Sequence, residues 1–330
     1  MRIPRIAAVL IMGLFAAGCG SAAPTLTAGD PASSASAGAS TVASGGASAQ
    51  PSTSAAPSPS AMPSASPVPH GAPAKTFSVA TRQITFSRGS RSLPTTIWYP
   101  VGSGSALPAG RFPVILFSHG LHGLPAYYQQ IESRLAAAGF VVAGPAYPFT
   151  NANTKDFNPA DMTNQPADAS AVITGVLKLD TKAGDRFAGH LDTQHIGAAG
   201  HSAGGFTTAG LLADKRDTRI KGAVVIAGAA MGTFSGPKTP VLFVHGDADP
   251  TVPYSMGHNA YASLKWPKAF LTEVGQGHGE YLGAGAKGFD QMMRTTLDFF
   301  RWTLYNDAAA HGRLKADAVK SGTTKWESSL

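Results

Sequence analysis

The chain has 330 residues, enough for one large α/β domain or two average ones, and is 43% hydrophobic with only 14% charged residues. Its formal charge of +7 falls to +5 without Arg2 and Arg5, and no basic cluster accompanies it, which argues against nucleic acid as a partner. The single cysteine, Cys19, excludes an intramolecular disulfide, so a packed core must hold the fold.

At the N-terminus, Arg2 and Arg5 precede an apolar run over residues 6–17. That run is too short to span a bilayer but suits the core of a signal peptide, expected over 1–18. The following "AAGC" resembles the lipobox of bacterial lipoproteins, with Ala16 where leucine is usual. The resemblance implies that Cys19 is lipidated, becomes the new N-terminus and anchors the chain to a membrane. With an ordinary secretory signal instead, the protein would still be exported. Residues 19–75 form a Ser/Ala/Pro-rich tether that carries too little bulky apolar surface to offset ordering entropy. As a flexible spacer it would reach about 40 Å.

Globular patterning begins at residue 76. "FSVATRQITF" and "SLPTTIWYP" read as two antiparallel strands, and "FPVILFSHG" as a strand buried on both faces. Helical spacing follows over 126–139 with a glycine stop at Gly139, then a buried strand in "FVVAGPAYP" and a helix over 167–180. The alternation continues through strand "HIGAAG", a helix over 203–214, and strands "IKGAVVIAG" and "PVLFVHG". A helix over 256–265, strand "KAFLTEV" and a long helix over 289–305 complete it. This order predicts an α/β fold with a mostly parallel sheet covered by helices on both faces, over residues 76–306. Residues 307–330 look too polar for core and are expected as a tail.

Four chemically loaded stretches, "SHG", "AGHSAGG", "HGDAD" and "GQGHG", end predicted strands, where open α/β sheets place their ligands. In "GHSAGG" a sharp strand-to-helix turn would lift the Ser202 hydroxyl clear of the sheet, with Gly200, Gly204 and Gly205 leaving room for it. A serine needs a base, and the base needs an orienting acid. Asp247 and Asp249 compete for the acid; Pro250 favours Asp249 by fixing its loop. Of the ten histidines, His278 in a glycine-bracketed loop is the candidate base. His201 is expected to point away from the site and His245 to serve packing. Oxyanion donors are expected from the backbone N–H groups of Ala203 and Leu121, with His122 as neighbour and His119 shaping the loop.

Together, "SHGLHG", "GHSAGG", "HGDADPTVP" and "GQGH" resemble the motif set of the α/β-hydrolase superfamily, closest to its dienelactone-hydrolase-like, platelet-activating-factor acetylhydrolase-like and bacterial polyester-hydrolase group. The resemblance implies a serine esterase with Ser202, Asp249 and His278 as its triad, and with no metal or cofactor. Polyester hydrolases of this group usually have an aromatic at position 121 and a methionine at 203, where this chain has Leu121 and Ala203. They also have a tryptophan in the loop after the next strand, where this chain offers only Met231 and Phe234. Substrate contacts are expected from His122, Phe149 and Met231. The expected activity is hydrolysis of short-chain or small esters outside the cell by a monomer without a cap domain. Polyester hydrolysis, acyl transfer and a catalytically inactive binding lipoprotein are the alternatives.

Overall fold

The computed structural model describes residues 71–102, 106–214 and 217–330. The stretches expected as signal peptide, lipidated Cys19 and tether, up to residue 70, lie outside the described residues. The described part is built on a nine-stranded sheet in the order β1-β2-β4-β3-β5-β6-β7-β8-β9.

β1 (Ser78–Arg88) and β2 (Arg91–Val101) form an antiparallel hairpin closed by a two-residue turn, in which Gly89 takes φ 58°. β2 joins β4 (Val141–Pro145) antiparallel, and from β4 through β3 (Phe112–Ser118), β5 (Leu191–His201), β6 (Ile220–Ile226), β7 (Val241–Gly246) and β8 (Lys268–Glu273) all pairings are parallel. Every residue of β3, β4 and β7 is buried, which accounts for their unbroken apolar sequences. Side chains alternate between two cores. Val225 of β6 and Phe243 of β7 pack with α2 (Gln165–Leu177), α3 (Ala203–Leu211) and α4 (Tyr254–Ser263). Their neighbours Val224 and Leu242 pack with α1 (Gln129–Ala137), α5 (Phe289–Tyr305) and α6 (Ala308–Ala318).

The helices fall close to their expected positions. α2 starts at Gln165 because Pro166 suits a first helical turn, and α1 stops where Gly139 takes φ 101°.

Residues 307–330 are not a loose tail. α6 buries Ala310, Leu314 and Ala318, spaced four apart on one face, and β9 (Thr324–Ser329) pairs antiparallel with β8 over its whole length. The expectation fails because an edge strand is held by backbone pairing, so its side chains can stay polar and exposed. At the other end, Arg301 Nη2 donates to Pro73 O at 2.7 Å, so the folded unit begins slightly before residue 76.

Candidate active site

The four expected stretches meet at the carboxyl edge of the sheet, after β3, β5, β7 and β8. Ser202 sits between β5 and α3 with φ 58° and ψ −123°, a conformation that costs a non-glycine residue about 1–3 kcal/mol. The glycines around it are required by contact with backbone. A Cβ on Gly204 would lie 1.9 Å from Ser118 O, and one on Gly200 would lie 2.3 Å from Gly204 O. The turn thus packs directly on the end of β3.

His278 Nε2 lies 2.8 Å from Ser202 Oγ, and His278 Nδ1 lies 2.7 Å from Asp249 Oδ2. Because a carboxylate only accepts, Nδ1 carries the proton and Nε2 is left to accept from the serine hydroxyl. Asp249 is the acid that reaches the histidine. Its Oδ1 accepts the N–H groups of Thr251 (2.8 Å) and Val252 (3.0 Å). Burial alone would raise its pKa, but the hydrogen bonds from His245 and His278 outweigh that and hold it well below the usual carboxylate range. Asp247 instead accepts the Gly275 N–H at 2.6 Å and faces Lys325, bracing the loop that carries His278.

Two histidines do more than the sequence suggests. His245 is buried, but its Nε2 lies 3.0 Å from Val252 O and 3.2 Å from Asp249 Oδ2, so its one proton is shared between the loop and the acid. His201 does not point away: its Nε2 lies 2.6 Å from His278 O and its ring centroid 4.8 Å from that of His278. Neither role has a sequence signal, since both depend on side-chain direction at a strand end.

Three N–H groups of the loop after β3 are paired. Gly120 N donates to Tyr128 Oη (3.1 Å), His122 N to Thr150 O (2.8 Å) and Gly123 N to Gly120 O (2.9 Å). Leu121, between them, has no acceptor for its N–H among the described residues, and neither does Ala203 at the start of α3. His119 Nε2 accepts from Tyr147 N (3.1 Å), so its Nδ1 donates to Gly120 O (2.7 Å). Burial pushes this imidazole down to about 4, which fixes it in that neutral form.

A side-chain tie runs between the segments that carry the two expected donors. Gln165, fully buried, donates to Thr150 Oγ1 at 2.7 Å and accepts from Thr207 Oγ1 at 2.5 Å, while Thr207 also lies 2.8 Å from Ala203 O.

Of the three expected substrate contacts, His122 takes φ 54° and stacks on Phe157 with centroids 3.6 Å apart, beside Leu121. Phe149 is exposed beneath the Arg91 guanidinium, 5.2 Å away, on the loop that accepts the His122 N–H. Met231 is not brought to the serine. Its sulfur packs at Gly210, eight residues down α3 and so about 12 Å along the axis from Ser202. Among the described residues, no group of three or more His, Cys, Asp or Glu side chains could hold a metal ion.

This arrangement can activate a hydroxyl, stabilise the imidazolium that results and receive a tetrahedral oxyanion. No curated protein matches the chain. The family model described as PETase, PET hydrolase-like, matches residues 53–307, ending just before α6. With that match over most of its length, the chain belongs to the PET hydrolase-like family and is a serine ester hydrolase.

Proposed function

We propose that the protein is an extracytoplasmic carboxylesterase for short-chain or small esters, working through an acyl-enzyme on Ser202. The observation that carries this reading is the continuous chain Ser202–His278–Asp249, at 2.8 and 2.7 Å. Ser202 Oγ attacks the ester carbonyl carbon as its proton passes to His278 Nε2. The tetrahedral oxyanion accepts from the N–H groups of Leu121 and Ala203. Collapse expels the alcohol, which takes the proton from His278. Water, deprotonated by His278, then attacks the acyl carbon and frees the acid and Ser202.

The preference for small acyl groups rests on the loop between β6 and β7. Residues 227–240 contain no helix, so no cap inserts at the position where many esterases of this fold carry one. An open cleft buries few methylenes, each of which would contribute about 0.8 kcal/mol. The rim offered by His122, Phe157 and Phe149 suits a small acyl or aromatic group. A panel of simple esters tests this: acyl groups of roughly two to eight carbons should be preferred, by that burial argument. An optimum at long chains, or a jump in rate past the solubility limit of the ester, would refute it.

The family match favours a second substrate reading, hydrolysis of ester bonds in a polymer. A polymer chain must extend beyond the reacting ester in both directions, and no helical cap between β6 and β7 stands in its way. Release of soluble acid from a polyester film by the wild type, absent with Ser202→Ala, supports that reading; no release refutes it. Export and attachment rest on the N-terminal sequence and on Cys19. Metabolic labelling with a fatty-acid analogue should mark the wild type and not Cys19→Ser. An unlabelled wild type would end the lipoprotein reading.

A further inference from the structure

His201, Tyr128 and Gly120 form a hydrogen-bonded chain in which every proton is assigned. His278 O is a carbonyl and can only accept, so the proton of the 2.6 Å contact belongs to His201 Nε2. Burial, and then the nearby His278, push the His201 imidazole down to about 3, so the ring is neutral and its Nδ1 is bare. That nitrogen must accept from Tyr128 Oη, 2.9 Å away. Burial keeps the Tyr128 hydroxyl protonated well past the usual phenol range, so the proton is there to give. The hydroxyl oxygen in turn accepts the Gly120 N–H at 3.1 Å.

The chain joins three pieces of the site that come from three strands. Gly120 immediately precedes Leu121, His201 immediately precedes Ser202, and His278 is the base itself. The fit is close at both ends. A Cβ on Gly120 would lie 3.1 Å from Ser202 Cβ and 3.3 Å from Tyr128 Oη, and one on Gly279 would lie 3.3 Å from His201 Nε2.

We propose that Tyr128 and His201 are positioning residues: a one-directional hydrogen-bond relay that holds the backbone of His278 in register with the nucleophile turn and the oxyanion loop. This rests on the assignment of Ser202 and His278 made above. The base needs such a hold because its loop is bracketed by Gly275, Gly277 and Gly279 and would otherwise have wide backbone freedom. Asp249 fixes the ring at Nδ1 and His201 fixes the carbonyl, so His278 is held by both its side chain and its backbone. The His278 carbonyl selects the His201 tautomer, and the Tyr128 hydroxyl donates to the Nδ1 that this leaves bare. With the other tautomer a bare Nε2 would face the His278 carbonyl, lone pair against lone pair.

The test uses Tyr128→Phe, His201→Phe, His201→Gln and the Tyr128→Phe/His201→Phe pair, with steady-state kinetics on a simple ester. Each enzyme is counted by covalent titration of Ser202 with a phosphonate, so unfolded molecules do not enter kcat. A misplacement of about 1 Å costs on the order of 100-fold, which bounds the loss. Tyr128→Phe should lower kcat roughly tenfold and His201→Phe between tenfold and a hundredfold, with KM within about twofold. Glutamine can donate to a carbonyl and accept from a phenol, so His201→Gln should recover most of kcat. The double variant should be no worse than His201→Phe alone. Losses that multiply in the double variant, that fall on KM, or that glutamine does not rescue would overturn the relay. Ser202→Ala is run beside them: if it keeps activity, the nucleophile assignment fails, and the relay result is unaffected by which substrate the enzyme prefers.

Discussion

Glu273 ends β8 with its carboxyl fully buried, and neither oxygen has a hydrogen-bond partner among the described residues. It lies against Gly288, whose Cβ, if present, would stand 1.8 Å from Glu273 Oε2. Burial pushes its pKa up to about 8 from an ordinary 4.5, with Lys287 opposing only in part. Between those two values the folded protein holds a proton on this group that the unfolded chain has released. Its contribution is therefore fully present below pH 4.5 and is lost as pH rises toward 8. A tenfold difference in proton affinity between the folded and unfolded chain is worth about 1.4 kcal/mol, so the loss across the window is on the order of 3–5 kcal/mol. Glu273→Gln keeps the shape of the protonated acid and removes the titration. Urea denaturation at pH 5, 7 and 9 should show the variant near wild type at pH 5 and progressively more stable than wild type above it. Asp249, Asp217 and Asp185, whose pKa values are lowered, change their contributions at the acid end and are common to both proteins. Stability curves for variant and wild type that run parallel from pH 5 to 9 would refute the reasoning.

Three further outcomes are expected. Ser202→Gly and Ser202→Ala should both be inactive, yet glycine should be the more stable by about 1 kcal/mol by calorimetry, because only it relaxes the φ 58° conformation; alanine equal or better would deny the strain. Asp249→Asn should lower kcat by about 10⁴-fold, whereas Asp247→Asn, which loses a brace on Gly275, should stay near wild type; the reverse order in folded variants would move the acid to Asp247. Gly204→Ala, with its Cβ 1.9 Å from a backbone oxygen, should fail to give an active soluble enzyme, while Gly283→Ala, with nothing within 4 Å, should behave as wild type; an active Gly204→Ala enzyme would mean that the turn can move off β3.

The parts of the molecule that can be read from sequence are those with a local pattern. β3 and β7 are continuous apolar runs because both faces are covered, and the turn at Ser202 needs glycine on both sides because backbone touches it there. Asp249 and His278 stand out because each ends a strand in a rigid or glycine-rich loop. His201 and His245 are not legible in the same way, because a residue at a strand end can turn to either side and only the neighbouring strand decides which. Met231 is close to β6 in sequence, but the chain leaves that strand along α3 and carries the side chain away from the serine. β9 escapes a reading by hydrophobicity because "TKWESS" pairs through its backbone while four of its six side chains stay exposed.

That last strand also bears on how the protein behaves at high concentration. Without β9, β8 would be the outer strand, with a bare row of amide and carbonyl groups running up to the loop that holds the base. Bare strand edges recruit strands from other molecules. β9 moves the sheet boundary outward to a strand carrying Lys325 and Glu327 on exposed positions, with Glu327 held 3.0 Å from His258 of α4. Such a charged margin is a poor template for further pairing. Residues 324–329 thus act as a guard strand, and a protease cut before them would leave a hydrolase whose sheet is open to its own copies beside His278.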